Sequence, residues 1–82
     1  MNNVVWFETP ILKTAAEMEA GDIYRCEYGD YDHWVNAVFE SCVGNRNWTD
    51  TRFHYVGDST SRTMCCLCTI DKATYRVIGK ET

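Results

Sequence analysis

The run HWVNAVFESCV, His33 to Val43, places Val35, Ala37, Phe39, Ser41 and Val43 on one side of an extended chain and Trp34, Asn36, Val38, Glu40 and Cys42 on the other. Eleven residues of two-residue periodicity, with a β-branched and aromatic set on one side, read as a long strand whose core face carries the first set. The residues around it keep the same rhythm. Upstream, Ile23, Arg25 and Glu27 alternate with Tyr24, Cys26 and Tyr28, and GDYD separates the two runs as a turn. Downstream, GNRN reads as a turn, RFHYV as a short strand, GDSTS as a second turn, TMCCLCTI as a strand, DKAT as a tight connection and YRVI as a closing strand. Near the start, VVWFET (Val4 to Thr9) is a further strand.

One segment breaks the pattern. In TAAEMEAGD, Thr14 is placed to cap, Glu17 follows three residues later as in a capping box, and Gly21 ends the piece after about two turns. Short strands at close spacing, one helical turn and no strand–helix–strand rhythm predict an all-β chain. The expected form is an antiparallel meander of about five to six strands curled into a small barrel, since closure removes exposed edges. With 82 residues, 45% hydrophobic and 13% aromatic, the chain is expected to fold as one domain over residues 1–82 around one modest core.

The order AEMEAGDIYR, then HWVNAVF, a polar turn, two further strands and a terminal YRVI resembles small accessory proteins of bacteriophages and mobile elements with a Src-homology-3-like (SH3-like) β-barrel. Its fixed points are Ala16-Glu17-Met18, Gly21-Asp22, Trp34 and the apolar strand positions, and it spans about residues 12 to 79. The resemblance implies a non-catalytic viral protein in the host cytoplasm. Its implied partner is a bacterial host protein or defence complex, inhibited in the manner of anti-CRISPR or similar counter-defence proteins.

TMCCLCTI holds three of the five cysteines. On a strand, Met64, Cys66, Cys68 and Ile70 share a face, and same-face sulfurs about 6.5 to 7 Å apart along the strand do not suit zinc. Cys65 and Cys68 have the Cys-x-x-Cys spacing, and two of Cys26, Cys42, His33 and His54 would complete a tetrahedron. The preferred reading is that the thiols are reduced, buried small hydrophobes, with no metal and no cofactor. No basic segment followed by an apolar run opens the chain and no window spans a membrane, so a soluble, unexported protein is expected.

His33 and His54 are the only imidazoles, and no nucleophile, base and orienting group stand together; no catalytic residue is assigned. GDSTS lacks the lysine and second glycine of a phosphate loop. The richest candidate is EYGDYDHW, where acidic and aromatic residues alternate: Glu27, Tyr28, Asp30, Tyr31, Asp32 and Trp34, joined by Trp48 in a second polar loop, are the expected partner-binding residues. A formal charge of −4 disfavours nucleic acid. The rival readings are a nucleic-acid face of Arg46, Arg52, Arg62 and Arg76 with Trp48 and Tyr55, and a virion or assembly component that oligomerises through a strand edge. A sponge for a small nucleotide signal, stacking on loop aromatics, is a further rival.

Overall fold

The structure, a computed structural model, describes residues 3–27, 34–44 and 47–82. Its elements are β1 (Val4–Thr14), a single 3-10 turn (Ala15–Glu17), β2 (Asp22–Glu27), β3 (Trp34–Gly44), β4 (Thr49–Tyr55), β5 (Arg62–Cys66) and β6 (Thr74–Glu81). They form one sheet in the order β1-β6-β2-β3-β4-β5, with every neighbouring pair antiparallel. The expected all-β architecture with one short helical turn is therefore present. The order is open, however: among the described residues no ladder joins β1 to β5. The sheet is curled, because Phe7 from one edge strand and Met64 from the other pack on the same buried cluster.

That cluster holds Tyr24 and Cys26 of β2, Ala37 and Phe39 of β3, Phe53 and Tyr55 of β4, Val77 of β6 and Met18 from the turn before β2. Aromatic rings meet edge to face in it, Tyr24 on Tyr75 at 4.8 Å and Phe53 on Tyr55 at 5.6 Å between centroids, a geometry that suits ring quadrupoles. Ile23 and Val38 are equally buried but face the other way, as strand alternation requires. Gly79 lies opposite both Trp6 and Ile23, and a Cβ there would meet the Val5 carbonyl at 2.7 Å and the Trp6 ring at 3.0 Å. Glycine at that position lets two layers close on one strand.

Two bulges decide which side chains face in. Between β3 and β4 the register slips at Glu40, between the pairs Phe39–Phe53 and Ser41–Arg52. One extra residue on β3 reverses the parity beyond it. Val35, Ala37 and Phe39 face the core as expected, whereas Val43 is 69% exposed, Ser41 is exposed and Cys42 packs on the core. In β1 the ladder with β6 breaks between Trp6 and Ile11, which lets the strand continue through Pro10. Proline donates no ladder hydrogen bond and is tolerated on an edge strand at such a bulge.

The helical piece is shorter than its sequence suggests. It is one 3-10 turn, held by Glu17 Oε1, which accepts from the Thr14 backbone N–H at 2.9 Å and from its hydroxyl at 2.8 Å. Gly21, at φ +97°, then turns the chain into β2, donating to the Phe39 carbonyl and accepting from the Glu81 N–H. Among the described residues no helix is long and apolar enough to cross a membrane.

Candidate functional site

Two places gather side chains with chemical potential, and both are built by the topology. The first is a polar cluster at one end of the sheet. His54 alternates with Phe53 and Tyr55 and so faces away from the core, beside the bulge residue Glu40 and the last residue of β6, Glu81. Its Nδ1 lies 2.9 Å from Glu40 Oε2 and its Nε2 2.9 Å from Glu81 Oε1. A carboxylate at each nitrogen requires both to donate, which is the protonated imidazolium. Burial alone would lower the His54 pKa, but the hydrogen bonds and charges of Glu81 and Glu40 outweigh it and raise the value above 6.5. For Glu40, burial would raise the pKa; the His54 and Ser61 hydrogen bonds outweigh that and lower it. Ser61 Oγ donates to Glu40, at 2.8 and 2.9 Å from its two oxygens, and not to the imidazole. A cleft of about 770 Å³ opens beside the cluster, lined also by Val4, Val56 and Asp58. While the imidazolium holds both carboxylates neither ring nitrogen carries a free lone pair, and Ser61 Oγ is bonded to Glu40. The cluster ties β3, β4 and β6 together.

A second ionic group does similar work. Asp22 is 2% exposed, yet it accepts from Lys13 Nζ at 2.9 Å, Lys80 Nζ at 3.2 Å and the Glu19 N–H at 2.9 Å. Burial opposes its charge, and these three donors outweigh it, holding its pKa below the usual value. A buried carboxylate is tolerable only with such partners.

The second place is the face around Trp34, the first residue of β3, which is 56% exposed. Strand alternation and register set Arg25 of β2 opposite Asn36, two residues along the same face from Trp34. Arg76 of β6 lies opposite Leu12 of β1. Arg25, Trp34, Arg76, Ile78 and Pro10 share one shallow groove, and Trp6, 53% exposed, joins Arg25 and Trp34 in the next. Trp6, Leu12 and Trp34 are thus large exposed apolar side chains interleaved with two arginines on a single surface.

Of the expected partner-binding residues, the two whose side chains are described, Trp34 and Trp48, lie far apart. Trp34 opens β3, whereas Trp48 adjoins its far end, where Gly44 pairs with Thr49; ten residues of strand separate those ends, on the order of 30 Å. Trp48 is 40% exposed and its indole N–H donates to Asp50 at 3.2 Å. Tyr28, Asp30, Tyr31 and Asp32 lie outside the described residues, as does the side chain of Glu27. The charged residues the sequence offers beside Trp34 are acids, but its neighbours on the sheet are Arg25 and Arg76. Only pairing between β2, β3 and β6 brings these together. Tyr55, a stacking residue in the nucleic-acid reading, is buried under the Arg62 guanidinium at 4.9 Å.

The cysteines also depart from expectation. Cys65 is exposed on the outward face of edge strand β5, and because the strand stops at Cys66 and the chain then turns, Cys68 is exposed and Leu67 is 87% exposed; Cys26 is buried, and Cys42 and Cys66 are half-buried. Burial raises the thiol pKa of Cys26 and Cys42. Among the described residues no three His, Cys, Asp or Glu side chains are placed to hold a metal ion.

No protein-family model, curated protein or solved structure matches this chain.

Proposed function

We propose that this chain is a small, non-catalytic binding module that engages a bacterial host protein through the face around Trp34. The observation that carries the reading is the grouping of exposed Trp34 and Trp6 with Arg25 and Arg76 on one surface. Tryptophan and arginine dominate the energetics of protein interfaces, because each combines large contact area with directed polar groups. Exposed to water, large apolar side chains such as Trp34 and Trp6 carry an unfavourable hydration cost that burial against a partner relieves. The resemblance to small phage and mobile-element proteins directs the choice of partner to a host factor or defence complex, and the location to the host cytoplasm. The non-catalytic part of the reading is supported by His54, whose two nitrogens are both bound by carboxylates.

Affinity capture from a bacterial lysate tests it. The protein and its Trp34→Ala and Trp48→Ala variants are immobilised in parallel. The reading predicts a protein retained by the parent chain and by Trp48→Ala and lost from Trp34→Ala. Equal retention by all three, or retention of nucleic acid that falls steeply with salt, contradicts it.

A further inference from the structure

The β2–β6 ladder is short: it pairs Asp22 with Lys80, Ile23 with Gly79 and Tyr24 with Val77, and there it ends. Beyond it, β2 continues through Arg25 and Cys26 bound only to β3, and β6 approaches through Thr74, Tyr75 and Arg76 bound only to β1. Among the described residues the two strands splay apart here, and their facing backbone edges carry no ladder. The splay exposes a cleft of about 540 Å³ that reaches the core. Its floor includes Tyr24, Cys26, Met64 and Tyr75, and its mouth carries Arg25, Lys72, Arg76 and Trp34.

The mouth is cationic in a chain of net charge −4. Lys13, Lys80, and Arg62 each have a carboxylate within 4.0 Å, but among the described residues Arg25, Lys72 and Arg76 have none. Unpaired guanidinium groups seek planar bidentate acceptors, above all carboxylates and phosphates. The unlaced edges of β2 and β6 add backbone donors and acceptors that an extended polypeptide satisfies by running alongside. A polyanion such as nucleic acid is a poorer fit: the protein as a whole repels it, and the three cations are confined to one cleft instead of forming a track.

We propose that the splay between β2 and β6 receives an extended, acidic segment of the protein partner, its carboxylates on Arg25, Arg76 and Lys72 and an apolar side chain against Trp34. This inference rests on the protein-binding reading and adds the chemistry of the ligand.

Selection from a library of random displayed dodecapeptides tests it without knowledge of the partner. Sequences retained by the parent protein are expected to be enriched in Asp and Glu around an apolar residue. The Arg25→Glu, Arg76→Glu double variant should lose that enrichment, and a selected peptide should bind it at least tenfold more weakly. Lys72→Glu, at an exposed turn position, carries the same test if the double variant does not fold by circular dichroism. Selection of no sequences, selection without acidic bias, or an acidic bias undiminished in the variants overturns the proposal. So does salt-sensitive binding of a dodecameric oligothymidine that the same variants abolish. If Trp34→Ala loses the lysate partner while the library shows no acidic bias, the binding module stands and only this inference falls.

Discussion

His54 on β4 and Glu81 at the end of β6 are joined through Nε2 and Oε1 at 2.9 Å, across 27 residues of sequence and over the buried pair Ile23 and Val38. With Glu40 at the other ring nitrogen, the imidazolium is a pH-sensitive staple between strands. Because folding raises the His54 pKa, the folded state binds that proton more tightly than the unfolded chain. The stabilisation is complete below about 6.5 and is lost as pH rises through the folded value. Glu40, whose pKa is lowered, contributes above about 4.5 and loses its contribution on acidification. Stability is therefore expected to be greatest between those limits and to fall by about 1–2 kcal/mol on the alkaline side. Urea denaturation from pH 5 to 9 measures this; His54→Gln should flatten the neutral-to-alkaline slope, and an unchanged slope rules the staple out.

Asp22 and Glu19 both bind Lys80, but only Asp22 is buried. Asp22→Ala removes the acceptor shared by Lys13, Lys80 and the Glu19 N–H, and is expected to cost about 2–4 kcal/mol. Glu19→Ala removes a pair whose carboxylate is 69% exposed, a surface interaction of little weight. Denaturation midpoints of the two variants should differ widely. Equal effects would mean that Asp22 is not the hub of the group.

Gly21 and Gly57 both have positive φ, and they differ in what surrounds them. At Gly57 no atom lies within 4 Å of an added Cβ, so Gly57→Ala bears only the backbone strain of about 1–2 kcal/mol. At Gly21 the added carbon also collides with the Glu81 carbonyl, in the backbone of β6, which is tied to Gly21 by the Glu81 N–H and cannot yield cheaply. Gly21→Ala should therefore be clearly the more destabilising in thermal melts. The reverse order would contradict the close approach of Gly21 and β6.

Thiol accessibility follows the outward face and the end of β5. In the native protein, N-ethylmaleimide should label Cys65 and Cys68 first, Cys42 and Cys66 more slowly, and Cys26 only on unfolding, as read by peptide mass spectrometry. Early labelling of Cys26 would show that the splay opens to the core far more than its geometry indicates.

Much of this architecture is legible in the sequence, for a reason visible in β2. Tyr24 and Cys26 are core residues while Arg25 faces outward, as their alternation implies. Alternation fails where the ladder adds a residue. Nothing in FESCV announces a bulge at Glu40, and without it Val43 and Cys42 are assigned to the wrong faces. Cys68 is misplaced for a related reason: the strand ends at Cys66, and periodicity carries no information past a strand end, whereas Cys65 is exposed because alternation turns it outward. The strand read over Val4 to Thr9 runs on through Pro10 to Thr14, because an edge position at a bulge tolerates proline. The site was the least legible part. RFHYV places His54 on an outward face, but Glu40 and Glu81 reach it from 14 and 27 residues away. Likewise Trp34 stands in sequence beside acids and in space near Arg25 and Arg76, because β2 and β6 supply its neighbours.

The three tryptophans allow the most direct test of the binding face, since all three are exposed and one stands at the far end of β3. The protein is labelled with 5-fluorotryptophan, its three fluorine resonances are assigned from single Trp→Phe variants, and the partner recovered by lysate capture is titrated in. The resonances of Trp34 and Trp6 should shift or broaden on binding while that of Trp48 stays in place. Perturbation of Trp48 with Trp34 and Trp6 unchanged would contradict the account.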